Sequence, residues 1–302
     1  MKQRKWMIVI LAVAVLAAVM AGPALAGKKG KKGKKSGGDA IAAHPNDLKY
    51  SELKFTGPEA KDYRYELSNG IPVFIAEDHS LPLVDVSVAL KVGSFLEQAD
   101  PDLKQGVAAF TGTMMRQGGA GGKTAEEFDE AVDFLGTTMG SFTGSTRGGA
   151  SMNSTTMVLG ESLDLFFDML KSPGFEQERI DIRTDELVEN MKQRNDDAQT
   201  ITGREWNWLM RGREHFSSKV STVSSVTAIT REDLVAFHKK YWNPATMMIA
   251  VAGDVKPEEI LKELEARFAG WDSVQVDIPW PPPAPTHTPK AGVYHVEKDI
   301  PQ

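Results

Sequence analysis

The chain has 302 residues, of which 41% are apolar and 25% are charged, and it contains no cysteine. A chain of this length can bury one or two cores, and the lack of cysteine excludes disulfide bonds. The first 36 residues hold nine lysines and arginines and no acid, so the remainder carries 26 basic and 41 acidic residues, a net charge of about −15. We therefore expect no nucleic acid partner, because such a body repels phosphate.

The first 26 residues have the pattern of an export signal. Lys2, Arg4 and Lys5 precede an apolar run over 6–21, which is followed by Ala24-Leu25-Ala26, a small-residue cleavage site. The run is shorter than the ~20 residues of a spanning helix. We expect cleavage near Ala26 and a bacterial periplasmic or secreted protein.

Six lysines follow the apolar run, within 27–38. Positive charge at this place resists translocation, so an uncleaved membrane anchor is the alternative interpretation. After cleavage, residues 27–45 would form a disordered Lys/Gly-rich tether that begins at Gly27. Such a tether could make weak contact with an anionic membrane surface.

Strands and helices alternate along the body of the chain. The patterns predict strands near 63–68, 71–77, 84–92, 137–145 and 150–158 and over Met247–Gly253. They predict helices near 103–117, 161–171, 177–195 and 201–213, with further helices that begin after Thr124, after Thr230 and at Pro257. Strands and helices in two layers indicate an α+β sandwich.

Several familiar catalytic patterns are missing or incomplete. Residues 117–124, Q-G-G-A-G-G-K-T, come close to a phosphate loop, but Gln117 stands where the first glycine belongs, and we interpret the segment as a turn between helices. The serine-hydrolase pattern G-x-S-x-G and the calcium pattern D-x-D-x-D are absent. No two of the six histidines are three or four residues apart, so no helix can present a histidine pair to one metal ion.

Several segments in a fixed order resemble the insulinase-like zinc peptidases, the family that includes pitrilysin and the mitochondrial processing peptidase. They span about Tyr65 to Trp271 and are Y-E-L-S-N-G-I-P-V-F-I-A-E-D (65–78), V-D-V-S-V-A-L-K-V-G-S-F-L-E (84–97), G-V-A-A-F-T-G-T (106–113), L-D-L-F-F-D-M-L-K-S-P-G-F (163–175), I-T-R-E-D-L-V-A-F-H-K-K-Y-W-N-P (229–244) and M-I-A-V-A-G-D-V (248–255). The resemblance implies a mainly antiparallel sheet with helices packed on one face, one half of an insulinase-like clamshell. It assigns residues 60–275 to the N-terminal domain of that family.

The family's zinc helix reads G-x-A-H-x-x-E-H-M, and its ligands are missing from this chain. The resemblance places the two histidine ligands on Ala109 and Thr113 and the catalytic glutamate on Gly112. The third ligand, a glutamate on a later helix, falls on Asn190. A register one residue earlier would restore Glu189, which we interpret as a surface charge. Because Ala and Gly have no donor atom and a lone Thr hydroxyl is a poor zinc ligand, we expect no zinc and no independent catalysis.

Two questions about the missing zinc ligands and the positions that they would occupy stay open. A metal site assembled from His79, His215 and carboxylates is an alternative source of ligands. The small face of Ala109, Gly112 and Thr113 fits either the close approach of another backbone or ordinary packing in a core.

The family binds extended peptide by adding a strand to an edge strand, and the resemblance places that segment on Gly140, Ser141, Phe142 and Thr143. Residues 279–291 are Pro-rich and predict a linker, and 292–302 resemble the first strand of a second homologous domain, so we expect a fragment or a truncated gene.

The function that we expect is a non-catalytic subunit that pairs with a catalytic insulinase-like subunit and helps to enclose extended peptide. Two alternatives remain: an active zinc metalloendopeptidase with displaced ligands, and an envelope scaffold protein. Whether the chain is an enzyme stays open at this stage.

Overall fold

The computed structural model describes residue 44 and residues 54–298. The chain divides into two units, Met1–Thr56 and Gly57–Gln302, and all the elements discussed below belong to the second. The expected export signal, nearly all of the Lys/Gly-rich tether and residues 299–302 lie outside the described residues. In the described part, no helix is both long enough and apolar enough to cross a membrane.

Six strands form one sheet in the order β1-β2-β6-β3-β5-β4. Their bounds are Arg64–Glu66 (β1), Pro72–Glu77 (β2), Leu83–Leu90 (β3), Thr138–Thr143 (β4), Gly148–Thr155 (β5) and Met247–Gly253 (β6). All neighbouring strands are antiparallel except β2 and β6. The sheet is therefore mainly antiparallel, as the resemblance implies, and β1 and β4 are its edges.

Nine α-helices accompany the sheet in the part of the chain that the structure describes. Their bounds are Leu96–Ala99 (α1), Val107–Gln117 (α2), Ala125–Phe134 (α3), Leu159–Lys171 (α4), Gln177–Gln193 (α5), Ala198–Arg211 (α6), Val223–Thr227 (α7), Arg231–Tyr241 (α8) and Pro257–Phe268 (α9) among the described residues. The predicted start of α3 after Thr124 is confirmed, and a capping box fixes it: Thr124 accepts from the Glu127 N–H, and the Glu127 side chain accepts from the Thr124 N–H.

The core lies on one face of the sheet, between the strands and the helices. Alternate residues of β3 are fully buried, Val84, Val86, Val88 and Leu90, and they join one apolar cluster with residues of the helices. Two-layer packing of a sheet and helices is the α+β sandwich that the sequence predicts.

The other face of the sheet is open, and from β2 to β6 it is almost free of charge, whereas Arg64 and Glu66 of the edge strand β1 lie on this face and pair with each other at 2.9 Å. On β2 to β6, Asp85 is the one charged residue on this face, and the Asn153 side chain donates to it at 2.9 Å. The residues of β2 to β6 that point to this side are mostly small: Pro72, Phe74, Ala76, Leu83, Asp85, Ser87, Ala89, Thr138, Gly140, Phe142, Gly149, Ser151, Asn153, Thr155, Met248, Ala250 and Ala252. A broad exposed surface of this composition is suited to face another surface.

The differences between the predicted and observed elements are small and have local causes. The helix predicted from residue 103 begins at Val107, because Gly106 has a left-handed φ of 95° that ends the preceding loop. The helix predicted from residue 201 begins at Ala198, because the Asp197 side chain caps it by accepting from the Thr200 N–H. Residues 293–298, which resemble a strand, form no strand in the described chain.

Candidate functional site

A half-buried carboxylate fixes the start of α2, the helix that corresponds to the zinc helix of the resemblance. Glu97 accepts from the backbone N–H of Gly106 and of Ala108, each at 2.9 Å. These N–H groups have no partner within the helix, and the negative charge also suits the positive end of the helix dipole. Burial raises the pKa of Glu97, while the two N–H donors act in the opposite direction. Glu97 thus orients α2 from outside the helix.

Helix α2 runs antiparallel to the edge strand β4, along the side of β4 that does not pair with β5. The Ser141 hydroxyl donates to the Gly112 carbonyl at 2.7 Å, and one turn later Arg116 Nε donates to the Met139 carbonyl at 3.2 Å. The Gly144 N–H donates to the Arg147 carbonyl at 2.8 Å, so Gly144 bonds to the strand that pairs with β4. Bonded and non-bonded residues alternate along an antiparallel pair of strands. The residues in between, Met139, Ser141 and Thr143, therefore turn their backbone groups away from β5. Those are the groups that α2 covers.

Gly112 is the point of closest contact between α2 and β4. A Cβ atom at this position would lie 2.5 Å from the carbonyl carbon of Phe142 and 2.7 Å from Thr143 Oγ1, and closer still to the Thr143 backbone nitrogen. Backbone atoms cannot move aside as the end of a side chain can, so no side chain fits at this position without separating helix from strand. Thr143 Oγ1 is itself buried and, among the described residues, has no hydrogen-bond partner.

The other positions of the absent zinc motif are open to solvent. Ala109 is exposed, and Thr113 is half-buried with its hydroxyl donating to the Ala109 carbonyl at 3.2 Å. Asn190 is exposed on α5. Its neighbour Glu189 is exposed and pairs with Lys192 at 2.7 Å, which lowers the pKa of Glu189. Glu189 is therefore a paired surface charge.

The donor set at these positions does not fit a zinc ion. Ala109 and Gly112 offer no side-chain donor, and the Thr113 hydroxyl already bonds to the backbone. Across the described part of the chain, no group of three or more His, Asp or Glu residues is arranged to hold a metal ion.

His79 and His215, the alternative source of ligands, are engaged in separate places. The two ring nitrogens of His79 contact Asp254 at 2.6 Å and Glu77 at 2.7 Å, on opposite sides of the ring, so the carboxylates do not converge. The ring of His215 contacts the Ser217 hydroxyl at 2.8 Å and the Pro283 carbonyl at 3.0 Å.

The predicted peptide segment of β4 has two different sides. Ser141 and Thr143 face α2, as described above. Gly140 and Phe142 face the open side of the sheet, where Phe142 is 46% exposed and the Arg147 guanidinium lies 5.8 Å from its ring centre. A peptide could reach the open side without displacing α2.

The Gly-rich segment 117–124 is a structural turn, as we interpreted it. The Gly121 N–H donates to the Ser172 carbonyl, and the Gly118 and Gly119 carbonyls accept from Glu176 and Gly174. Its backbone groups are therefore used inside the fold, which is unlike a loop that cradles phosphate.

Comparison with known proteins gives a consistent result. A family profile described as "Peptidase M16 inactive domain" matches residues 228–302. The chain is 24% identical over 233 residues to the "Probable mitochondrial-processing peptidase subunit beta" of Arabidopsis thaliana, covering 76% of this chain and 41% of that protein. It is 25% identical over 147 residues to an "Uncharacterized zinc protease" of Mycobacterium leprae, covering 48% of this chain and 33% of that protein.

The chain is thus similar to the insulinase-like, or M16, peptidases. Its fold also matches the solved structure of the periplasmic protease PqqL from Escherichia coli, with a TM-score of 0.62 and 19% identity over 74% of this chain and 26% of that one. The chain spans less than half the length of the curated relatives named above. The resemblance and the fold that the sequence indicates are thus confirmed, whereas zinc and proteolysis are properties in the names of relatives.

Two features of this site had no clear signal in the sequence. The bonds from Glu97 to α2 cross nine and eleven residues, and Glu97 was noted only as the last residue of the resembling segment 84–97. The contact of α2 with β4 joins segments about 30 residues apart. The one sequence feature that indicated this contact was Gly112 in the interior of a helix.

Proposed function

We propose that the chain is an exported, non-catalytic member of its family that pairs with a zinc-bearing insulinase-like chain and forms one wall of the space that encloses extended peptide. The observation that carries this proposal is the contact between Gly112 and β4. The resemblance places the catalytic glutamate at Gly112, and any side chain at this position meets the backbone of Phe142 and Thr143. The loss of catalysis is therefore supported by the packing as well as by the residue types.

The open face of the sheet supports the enclosing role. Solvent-exposed sheets usually carry charged side chains, which keep them soluble and unpaired. On β2 to β6 this face carries Asp85 alone, and Ser87, Ser151 and Ala250 lie side by side across three strands. We propose that this face lines the enclosed space and that peptide contacts Gly140 and Phe142 from the same side.

The names of similar proteins and the N-terminal sequence support pairing and export. One relative is named as a subunit of the mitochondrial processing peptidase, and one structural neighbour is named as a periplasmic protease. The apolar run and the cleavage site before Gly27 support export of this chain. The enclosing partner would then be an insulinase-like chain of the same compartment with an intact H-x-x-E-H helix.

The test uses the full chain and an insulinase-like protein with intact H-x-x-E-H from the same genome. We expect the chain alone to cleave no quenched fluorescent peptide, and the mixture to elute as a complex with higher activity than the partner alone. Metal analysis of the chain should find no stoichiometric zinc. Peptide cleavage by the chain alone, abolished by a chelator, would establish the alternative of displaced ligands.

If no complex forms with the intact partner at micromolar concentrations, the pairing role is wrong. Intact mass measurement of the exported protein checks the leader separately, because a chain that begins at Met1 in the membrane fraction would identify an uncleaved anchor.

A further inference from the structure

A shallow groove of about 610 Å³ lies between α3 and α4 on the helical side of the molecule. Its floor is apolar and consists of Ala131, Leu135 and Leu165. Phe134 stands at its mouth and is 90% exposed. A large aromatic side chain this exposed beside an apolar floor contributes little to the stability of the isolated chain.

Both walls of the groove carry a row of acids. Glu127 and Glu130 lie on α3, and Glu161, Asp164 and Asp168 lie on α4. The spacing of three or four residues places each row on one helix face. Carboxylates that face one another across a groove repel and so lower the stability of the fold.

Nearby groups neutralise only part of this charge. Arg267 pairs with Asp164 at 2.8 Å, and Lys123 lies 3.7 Å from Asp168. Glu127 is engaged in the cap of α3. Within the described residues, Glu130 and Glu161 have no ion-pair partner. The groove therefore offers an apolar floor and two uncompensated carboxylates, one on each wall.

We propose that this α3–α4 groove is a docking site for a cationic amphipathic helix of a partner protein. The apolar side of that helix would cover Phe134, Ala131 and Leu135, and its Lys or Arg side chains would reach Glu130 and Glu161. A helix fits better than an extended segment because both walls are helices and present no free strand edge, so the occupant must satisfy its own backbone hydrogen bonds. The site lies on the helical side, opposite the open sheet face, and does not rest on the proposed function.

The test uses the full chain and a fluorescein-labelled helical peptide of Leu, Ala and Lys, followed by fluorescence anisotropy. A matched peptide with Glu in place of Lys is the first control. We expect binding of the Lys peptide alone, with an affinity that falls as ionic strength rises. Glu130→Lys with Glu161→Lys should weaken binding about tenfold or more, and Phe134→Ser should weaken it several-fold without changing the net charge.

A second control separates the groove from the general negative charge of the body. Asp185→Lys with Asp272→Lys makes the same change of net charge at exposed positions elsewhere, and its affinity should stay within about twofold of the parent. Equal loss in both double variants would overturn the proposal, because any acidic surface would then serve. Failure of the folded parent to bind the Lys peptide would overturn it too. So would a concentration-dependent dimer that Glu130→Lys abolishes, since the occupant would then be a second copy.

Discussion

Gly112 and Gly203 both lie inside helices, yet their surroundings predict opposite effects of the same substitution. A Cβ at Gly203 would meet nothing within 4 Å, whereas one at Gly112 would meet the backbone of β4. Gly203→Ala should raise the free energy of unfolding by about 0.5 to 1 kcal/mol, because Ala costs less backbone entropy in a helix. Gly112→Ala should lower it by about 1 to 3 kcal/mol through overpacking.

Urea unfolding of the two variants measures both effects. If Gly112→Ala were as stable as the parent, α2 would not lie against β4 as described, and the packing argument for lost catalysis would fail with it. An equal increase in the free energy of unfolding of both variants would also contradict the packing of α2 against β4.

Two histidines should titrate on opposite sides of the ordinary pKa of 6.5. Burial lowers the pKa of His238, whose Nε2 lies 2.9 Å from the Leu170 carbonyl. The contacts with Asp254 and then Glu77 raise the pKa of exposed His79. An NMR titration of the imidazole signals checks both directions, and a His238 pKa above that of His79 would contradict them.

The buried histidine also sets the sign of a pH effect on stability. The unfolded chain protonates this residue near pH 6.5, before the folded chain does. The contribution of neutral His238 is therefore fully present above pH 6.5 and is lost as pH falls from 6.5 towards the lowered pKa of the folded state. His238→Gln should flatten this part of the stability curve.

At the scale of elements, the sequence located most strands and helices because each carries a local signal. Alternating apolar residues marked β3, and a Thr and Glu three residues apart marked the start of α3. The relation between α2 and β4 has no such signal, because it depends on a distant carboxylate, Glu97, and on the absence of one side chain, Gly112. The sequence could thus name the site positions without giving their packing.

The register between α2 and α5 can be tested by adding ligands at the two open positions of α2. Ala109→His with Thr113→His places two imidazoles one turn apart on one helix face, which favours zinc binding. We expect Asn190→Glu to tighten that binding if α5 presents residue 190 to the pair. Gln193→Glu, nearly one turn further along α5, should not. Leaving Gly112 unchanged keeps α2 against β4.

Titration with zinc and the thermal midpoint with and without metal give the readout for these variants. Equal affinity with Asn190→Glu and Gln193→Glu would show that the assignment of the third ligand position is wrong. Zinc binding without proteolysis is expected, because Gly112 supplies no base.

At the scale of the whole molecule, the two faces of the sheet differ in composition and in their proposed roles. The buried side holds the apolar core, and the open side is broad and, from β2 to β6, carries Asp85 as its one charged side chain. Stability therefore resides on one side, and the proposed contact with peptide and partner on the other.

A charge placed on the open side should separate these two roles. Ser151→Lys lies at the centre of the exposed face, so it should leave the free energy of unfolding within about 0.5 kcal/mol of the parent. We expect it to weaken the complex with the catalytic partner or the gain in peptide cleavage. Ser273→Lys, exposed outside the sheet, is the matched control. Equal behaviour of both variants would remove the open face from the proposed function.

Gly112 also constrains how the sequence of this chain can evolve. Mutation of Gly112 to glutamate would place a side chain against the β4 backbone while Ala109 and Thr113 still offered no ligand. That mutant would lose stability and gain no chemistry, so selection would remove it before the remaining ligands could arise. On the proposed assignment of the catalytic glutamate to Gly112, a catalytic helix first requires that α2 and β4 move apart, so an active site would be harder to regain than to lose.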